Sequence, residues 1–143
     1  MKKFFLLTVV SFLLATTSFG QEPEKIDNPN APEITFEATV YDFGKIALNA
    51  LAEHEFVFTN TGKEPLIIQN CQSGCSCTVP ACPKDKPIKP GEKASITVKY
   101  TTTYVAGTFN RQFTVYSNAK NSPVRITIKG EILQNTETPT TSN

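Results

Sequence analysis

Ala52-Glu53-His54-Glu55-Phe56-Val57-Phe58-Thr59-Asn60, followed by Thr61-Gly62-Lys63, is the stretch that decides the fold class. His54, Phe56 and Phe58 fall at every second position, so they share one face of an extended chain, because successive strand side chains point to opposite sides. Asn60-Thr61-Gly62-Lys63 then supplies a turn. No convincing run of ten or more residues around it repeats its apolar positions at the helical period.

The same alternation continues outward. Upstream, residues 34–40 and 43–48 read as extended segments. Downstream, residues 66–70 form a short apolar run of the kind found at the centre of a sandwich. After the Pro90-Gly91 turn signal, Ile96, Val98 and Tyr100 alternate with Thr97, Lys99 and Thr101. Phe109, Phe113 and Val115 share the next face. Arg111 has their parity, so its guanidinium must reach a rim or an acidic partner, because a lone buried charge is costly. Residues 117–123 make a hairpin turn, and Val124, Ile126, Ile128 and Ile132 line the last strand. The pattern predicts an all-β domain, an immunoglobulin-like antiparallel β-sandwich of about seven strands, over residues 34–133. The chain has no Trp and no widely separated Cys pair, so Phe and aliphatic residues must fill the core.

The ends read differently. Lys2 and Lys3 precede an apolar run over residues 4–15, too short to span about 30 Å of hydrocarbon. Ser18 and Gly20 place small side chains where a signal peptidase needs them, so residues 1–20 are expected to be a signal peptide cut before Gln21. No Cys adjoins the cut, which argues against a lipid-anchored product. The expected location is periplasmic or extracellular. Residues 21–33 are rich in Pro and Asn with one large aliphatic, and residues 134–143 have nothing to place in a core, so a flexible lead-in and tail are expected.

Removing residues 1–20 takes two lysines and no acid, leaving 12 basic against 13 acidic residues. The positive charges are scattered, which argues against nucleic acid as a partner. Lys84, Lys86 and Lys89, interleaved with prolines and Asp85, read as a solvated loop.

All four cysteines, Cys71, Cys75, Cys77 and Cys82, lie within twelve residues. In an oxidising compartment such a cluster reads first as two disulfides, worth roughly 2 kcal/mol each in loops this short. Cys75 with Cys77 is the least favoured pair, because two residues apart on an extended chain the Cα atoms are about 7 Å apart. Cys71 with Cys75 and Cys77 with Cys82 is preferred, since turns at Ser73-Gly74 and Pro80-Ala81 can close each pair. A thiolate site for zinc or copper on the same four residues is the alternative, although Cys-x₃-Cys-x-Cys-x₄-Cys is not the usual zinc spacing. A redox pair is a third reading, without the Cys-x-x-Cys helix start of thioredoxin-type motifs.

His54, the single histidine, reads as a partly buried, hydrogen-bonded strand residue. No nucleophile stands beside a base in a recognisable motif, and no glycine-rich phosphate loop is present. The expectation is a non-catalytic module without a cofactor, whose partner is another envelope or secreted protein.

Phe43-Gly44-Lys45-Ile46, Phe56 to Gly62 with Pro65-Leu66, Ser73-Gly74-Cys75-Ser76-Cys77-Thr78-Val79-Pro80, Pro87-Ile88-Lys89-Pro90-Gly91, Gly107-Thr108-Phe109 and Ser117-Asn118 together resemble the secreted bacterial family known as domain of unknown function 1573. The resemblance covers residues 34–133. It implies an immunoglobulin-like sandwich, distantly similar to sperm-protein and cilia-associated domains, in exported proteins of bacteria such as Bacteroidetes, and it brings no activity. Cys75, Cys77 and Thr78 match the family's Cys-Gly-Cys-Thr, with Ser76 in place of the glycine. Cys71 and Cys82 look like additions, which implies two disulfides that each join a family cysteine to an extra one.

Overall fold

The computed structural model describes residues 28–134, and every regular element among them is a strand. The expected signal peptide, residues 21–27 of the lead-in and residues 135–143 of the tail lie outside the described residues. No helix is long and apolar enough to cross a membrane among the described residues.

Eight strands follow one another: β1 (Ile34–Phe36), β2 (Val40–Ile46), β3 (Ala52–Asn60), β4 (Ile68–Ser73), β5 (Thr78–Ala81), β6 (Lys93–Tyr100), β7 (Gly107–Ser117) and β8 (Val124–Ile132). One sheet has the order β1-β3-β6-β5 and the other β2-β8-β7-β4. The predicted sandwich is therefore present, with one departure from the antiparallel expectation: β2 lies parallel to β8. The segment read as one strand over residues 34–40 is divided. Its first part pairs with β3, and after a bend at residues 37–39 the chain enters the opposite sheet as β2. Of residues 66–70, Leu66 and Ile68 are fully buried in the core, as expected, although β4 is the edge strand of its sheet.

Inward positions from both sheets meet in one core. Phe56, Phe58, Ile96 and Val98 come from the first sheet, and Phe113, Val115, Ile126 and Ile128 from the second, all essentially without solvent contact. The edge-on contact of Phe56 with Phe113, with centroids 5.9 Å apart, crosses between the layers. Tyr100 stacks on Phe109 at 4.1 Å.

Polar side chains close the upper end. Asn60, fully buried, donates from Nδ2 to the carbonyls of Glu64 (2.8 Å) and Ile88 (2.9 Å), while Oδ1 accepts from the Gly62 N–H (3.0 Å). Gly62 is required there, because a Cβ would sit 2.5 Å from the backbone of residues 31–33. That backbone belongs to the part of the lead-in that is described: Ala31 bonds Asn28, Lys63 bonds Asn30, and Pro32 is buried. Asn121 exchanges two hydrogen bonds with the backbone of Ile34, and Asn118 three with Pro65 and Ile67. In β2, the register shifts between Asp42 and Lys45 at the Phe43-Gly44 bulge, where Gly44 has a positive φ. Asp42 accepts from the Gly44 N–H at 2.8 Å, which together with Lys129 holds its carboxyl below the ordinary value.

Candidate functional site

The four cysteines pair as Cys71–Cys82 and Cys75–Cys77. This corrects the pairing expected from turn positions, and equally the one implied by the family likeness. The two family cysteines join each other, and the two additional ones do the same. The expectation against Cys75–Cys77 assumed an extended chain. Residues 74–77 instead form a bend and turn, which brings the two Cα atoms to 5.3 Å, inside the range a disulfide needs.

Cys71–Cys82 spans 6.4 Å between Cα atoms and depends on an arrangement that spacing does not reveal. Cys71 lies on β4, at the edge of one sheet, and Cys82 directly follows β5, at the edge of the other. The bridge therefore ties the two layers together along one side. Pro80-Ala81, expected to be a turn, instead belongs to β5. The edge position explains the proline, since β5 pairs only with β6 and an outward site needs no N–H. Lys84 extends the same side with a parallel bridge to Ile68 and a bond from Nζ to Asn70 at 3.1 Å.

At the lower end β4 leaves β7 early. Ser73 pairs with Phe113, and there the β4–β7 ladder ends, whereas β8 accompanies β7 back to Gly107. Residues 107–112 thus have a strand on one side only. The departing chain turns through Gly74 and Cys75, leaving a notch of about 580 Å³ lined by these two residues with Asn110, Arg111 and Gln112. Arg111 is exposed and makes no ion pair among the described residues, its one hydrogen bond being to the Asn110 carbonyl at 3.4 Å. The rim position expected from its parity is where it lies.

Sulfur surroundings differ around the cluster. Cys71, Cys77 and Cys82 pack against the core, while Cys75 lines the notch. Thr78, 2% exposed, sets its Oγ1 at 3.9 Å from both Sγ atoms of the Cys75–Cys77 bridge. Bridged sulfurs carry no hydrogen, so the hydroxyl is the donor. Cys77 is fixed from behind, its carbonyl accepting from Thr101 N–H at 2.9 Å and Oγ1 at 3.3 Å. With both pairs closed, no thiolate is left to ligate zinc or copper. No group of three or more metal-ligating side chains occurs among the described residues.

His54 stands apart, on β3, with β6 between it and β5. Among the described residues it is held by rings rather than by the expected side-chain hydrogen bond. Tyr41 stacks on it at 3.4 Å, bridging the two sheets on the side away from the cysteines, and Phe56 meets it edge-on at 4.8 Å. Burial lowers its pKa, with an opposing effect from Glu55. Thr78 was visible in the sequence only as part of a motif. The free stretch of β7 had no local signal at all, because it follows from the unequal lengths of two paired strands.

Comparison with known proteins bears on the family and the fold. The family described as protein of unknown function (DUF1573) matches residues 34–132. No curated protein matches the chain. Among solved structures, a protein of unknown function from Porphyromonas gingivalis W83 superimposes with a TM-score of 0.64 at 14% identity, over 76% of this chain and 51% of that one. The chain therefore spans about half the length of that protein. The ASH/PapD-like domain 7 of human CEP192 gives 0.60 at 8% identity, over 75% and 89%. The Vibrio cholerae VesB protease gives 0.55 at 14% identity, but over only 32% of its length. At these identities the likeness is one of fold.

Proposed function

Since the chain belongs to the DUF1573 family, whose function is unknown, the geometry has to suggest the role, and we propose an exported protein-binding module of the cell envelope that takes an extended polypeptide along the free stretch of β7. The observation that carries this reading is the early end of β4, which leaves residues 107–112 paired with β8 alone. Alternate residues of such an edge direct their N–H and C=O groups outward, a ready template for one more strand. Arg111 selects the occupant: a guanidinium without an ion pair among the described residues favours a segment carrying Asp or Glu. The other edges offer less. β1 has three residues, β5 contains Pro80, β4 is partly covered by Lys84, and β2 is broken by the bulge at Phe43-Gly44.

Amide protection measured with and without acidic, strand-forming peptides tests the reading. Slower exchange confined to residues 107–112, weakened in Arg111→Glu, is the expected result. Proline scanning sharpens it. Of Asn110→Pro and Arg111→Pro, one breaks a bond to β8 and lowers stability, and the other leaves stability unchanged but abolishes binding. If no peptide protects these amides, the reading is wrong. Export is tested separately by the N-terminus of protein recovered outside the cytoplasm, expected at Gln21.

A further inference from the structure

The notch beside the free edge of β7 contains something a docking edge does not need, a disulfide with one of its cysteines, Cys75, in the lining. We propose that Cys75–Cys77 is a thiol–disulfide exchange site for a polypeptide with two cysteines that docks along residues 107–112. The inference rests on the binding reading above and adds a chemistry to it.

Three features converge on this bridge and are missing from Cys71–Cys82. Its Cys75 belongs to the notch lining, with Cys77 against the core, whereas both cysteines of the other bridge pack against the core. It closes over a sequence separation of 2, so opening it releases no long segment, while the other bridge spans 11 residues and ties two sheets. And the Thr78 hydroxyl lies against both of its sulfurs. A hydroxyl that donates to a neutral disulfide sulfur gains little. The same hydroxyl donating to a thiolate makes a charge-assisted bond, which lowers the thiol's pKa and makes that sulfur a better leaving group. Arg111, at the mouth of the notch, favours the incoming thiolate in the same way.

The reaction balances without any further reagent. One thiolate of the docked dithiol attacks Sγ of Cys75 and forms a mixed disulfide. The Cys75–Cys77 bond breaks, its electron pair passes to Sγ of Cys77, and the new thiolate accepts the hydrogen bond from Thr78. The partner's second thiolate then attacks the partner's own sulfur in the mixed disulfide, releasing Cys75. The partner loses two electrons and becomes a disulfide; Cys75 and Cys77 gain them, and the two protons given up by the partner's thiols end on these two sulfurs.

The test uses the chain from Gln21 and a synthetic acidic, strand-forming peptide with two reduced cysteines, with acid quenching, alkylation and mass analysis of each bridge. Cys75–Cys77 is expected to open while Cys71–Cys82 stays closed, about tenfold faster than with a proline-interrupted version of the peptide. Thr78→Val is expected to slow the opening about tenfold and Thr78→Ser to restore it, since serine keeps the hydroxyl. Equal opening of the two bridges, or rates indifferent to residue 78, overturns the proposal. The peptide with serines for cysteines separates the two readings through amide protection at residues 107–112. Binding of that peptide without exchange by the cysteine form removes the exchange site and leaves the binding module. No binding removes both.

Discussion

Asn60 spends every polar atom of its side chain on the backbone of three different residues, in a position water does not reach. Asn60→Ala leaves the Ile88 and Glu64 carbonyls and the Gly62 N–H without these partners and is expected to cost about 1–3 kcal/mol, read as a lower denaturant midpoint at unchanged slope. His54 makes the stability depend on pH. Its folded pKa lies below its ordinary value of 6.5, so the unfolded chain binds its proton more readily. The stabilisation is complete above about pH 6.5 and is lost as acidification carries the pH through the lower folded value. The melting temperature should therefore fall between pH 7.5 and 5, and His54→Phe should flatten that part of the profile while keeping the stack on Tyr41. Asp42, also lowered, acts in the same direction in a more acidic window, below 3.8.

Two elements that are weak as strands, β4 and β5, do their work at the sides of the sheets. The bridge between them constrains a loop with a sequence separation of 11, worth about 3 kcal/mol in the unfolded state. The double substitution Cys71→Ala/Cys82→Ala should lower the melting temperature by about 10–20 °C, whereas Cys75→Ser/Cys77→Ser, which opens a much shorter loop, should cost about 1–2 kcal/mol. Differential scanning calorimetry of the two variants checks the order. What the sequence revealed divides along the same line. Strands with full alternation, such as β3, β6 and β8, were legible because burial on one face dictates every second residue. β5 was not, since Pro80-Ala81 reads as a turn unless the partner strand is known to lie on one side only. The cysteine pairing was illegible for a related reason. It depends on β4 and β5 falling in different sheets, and on a tight turn at Ser76, both properties of the assembled molecule. Thr78 could be picked out, but its role could not, because it is defined by two sulfurs meeting one hydroxyl in space.

As a whole, the domain has one core shared by both layers, so neither sheet has a stable existence alone. Unfolding of the chain from Gln21 is expected to be a single cooperative transition, with calorimetric and van't Hoff enthalpies in agreement. Its surface carries near-balanced charge and five exposed ion pairs among the described residues, each contributing little, so added salt should change the midpoint only slightly. The parallel contact of β2 with β8 sets the order of assembly. Val40 faces Thr127 and Ile46 faces Ile132, so a nascent chain released only as far as β7 has nowhere to lay its second strand. Completion of the second sheet therefore waits until residues 124–132 have left the ribosome, while the strands of the first sheet are already free to pair.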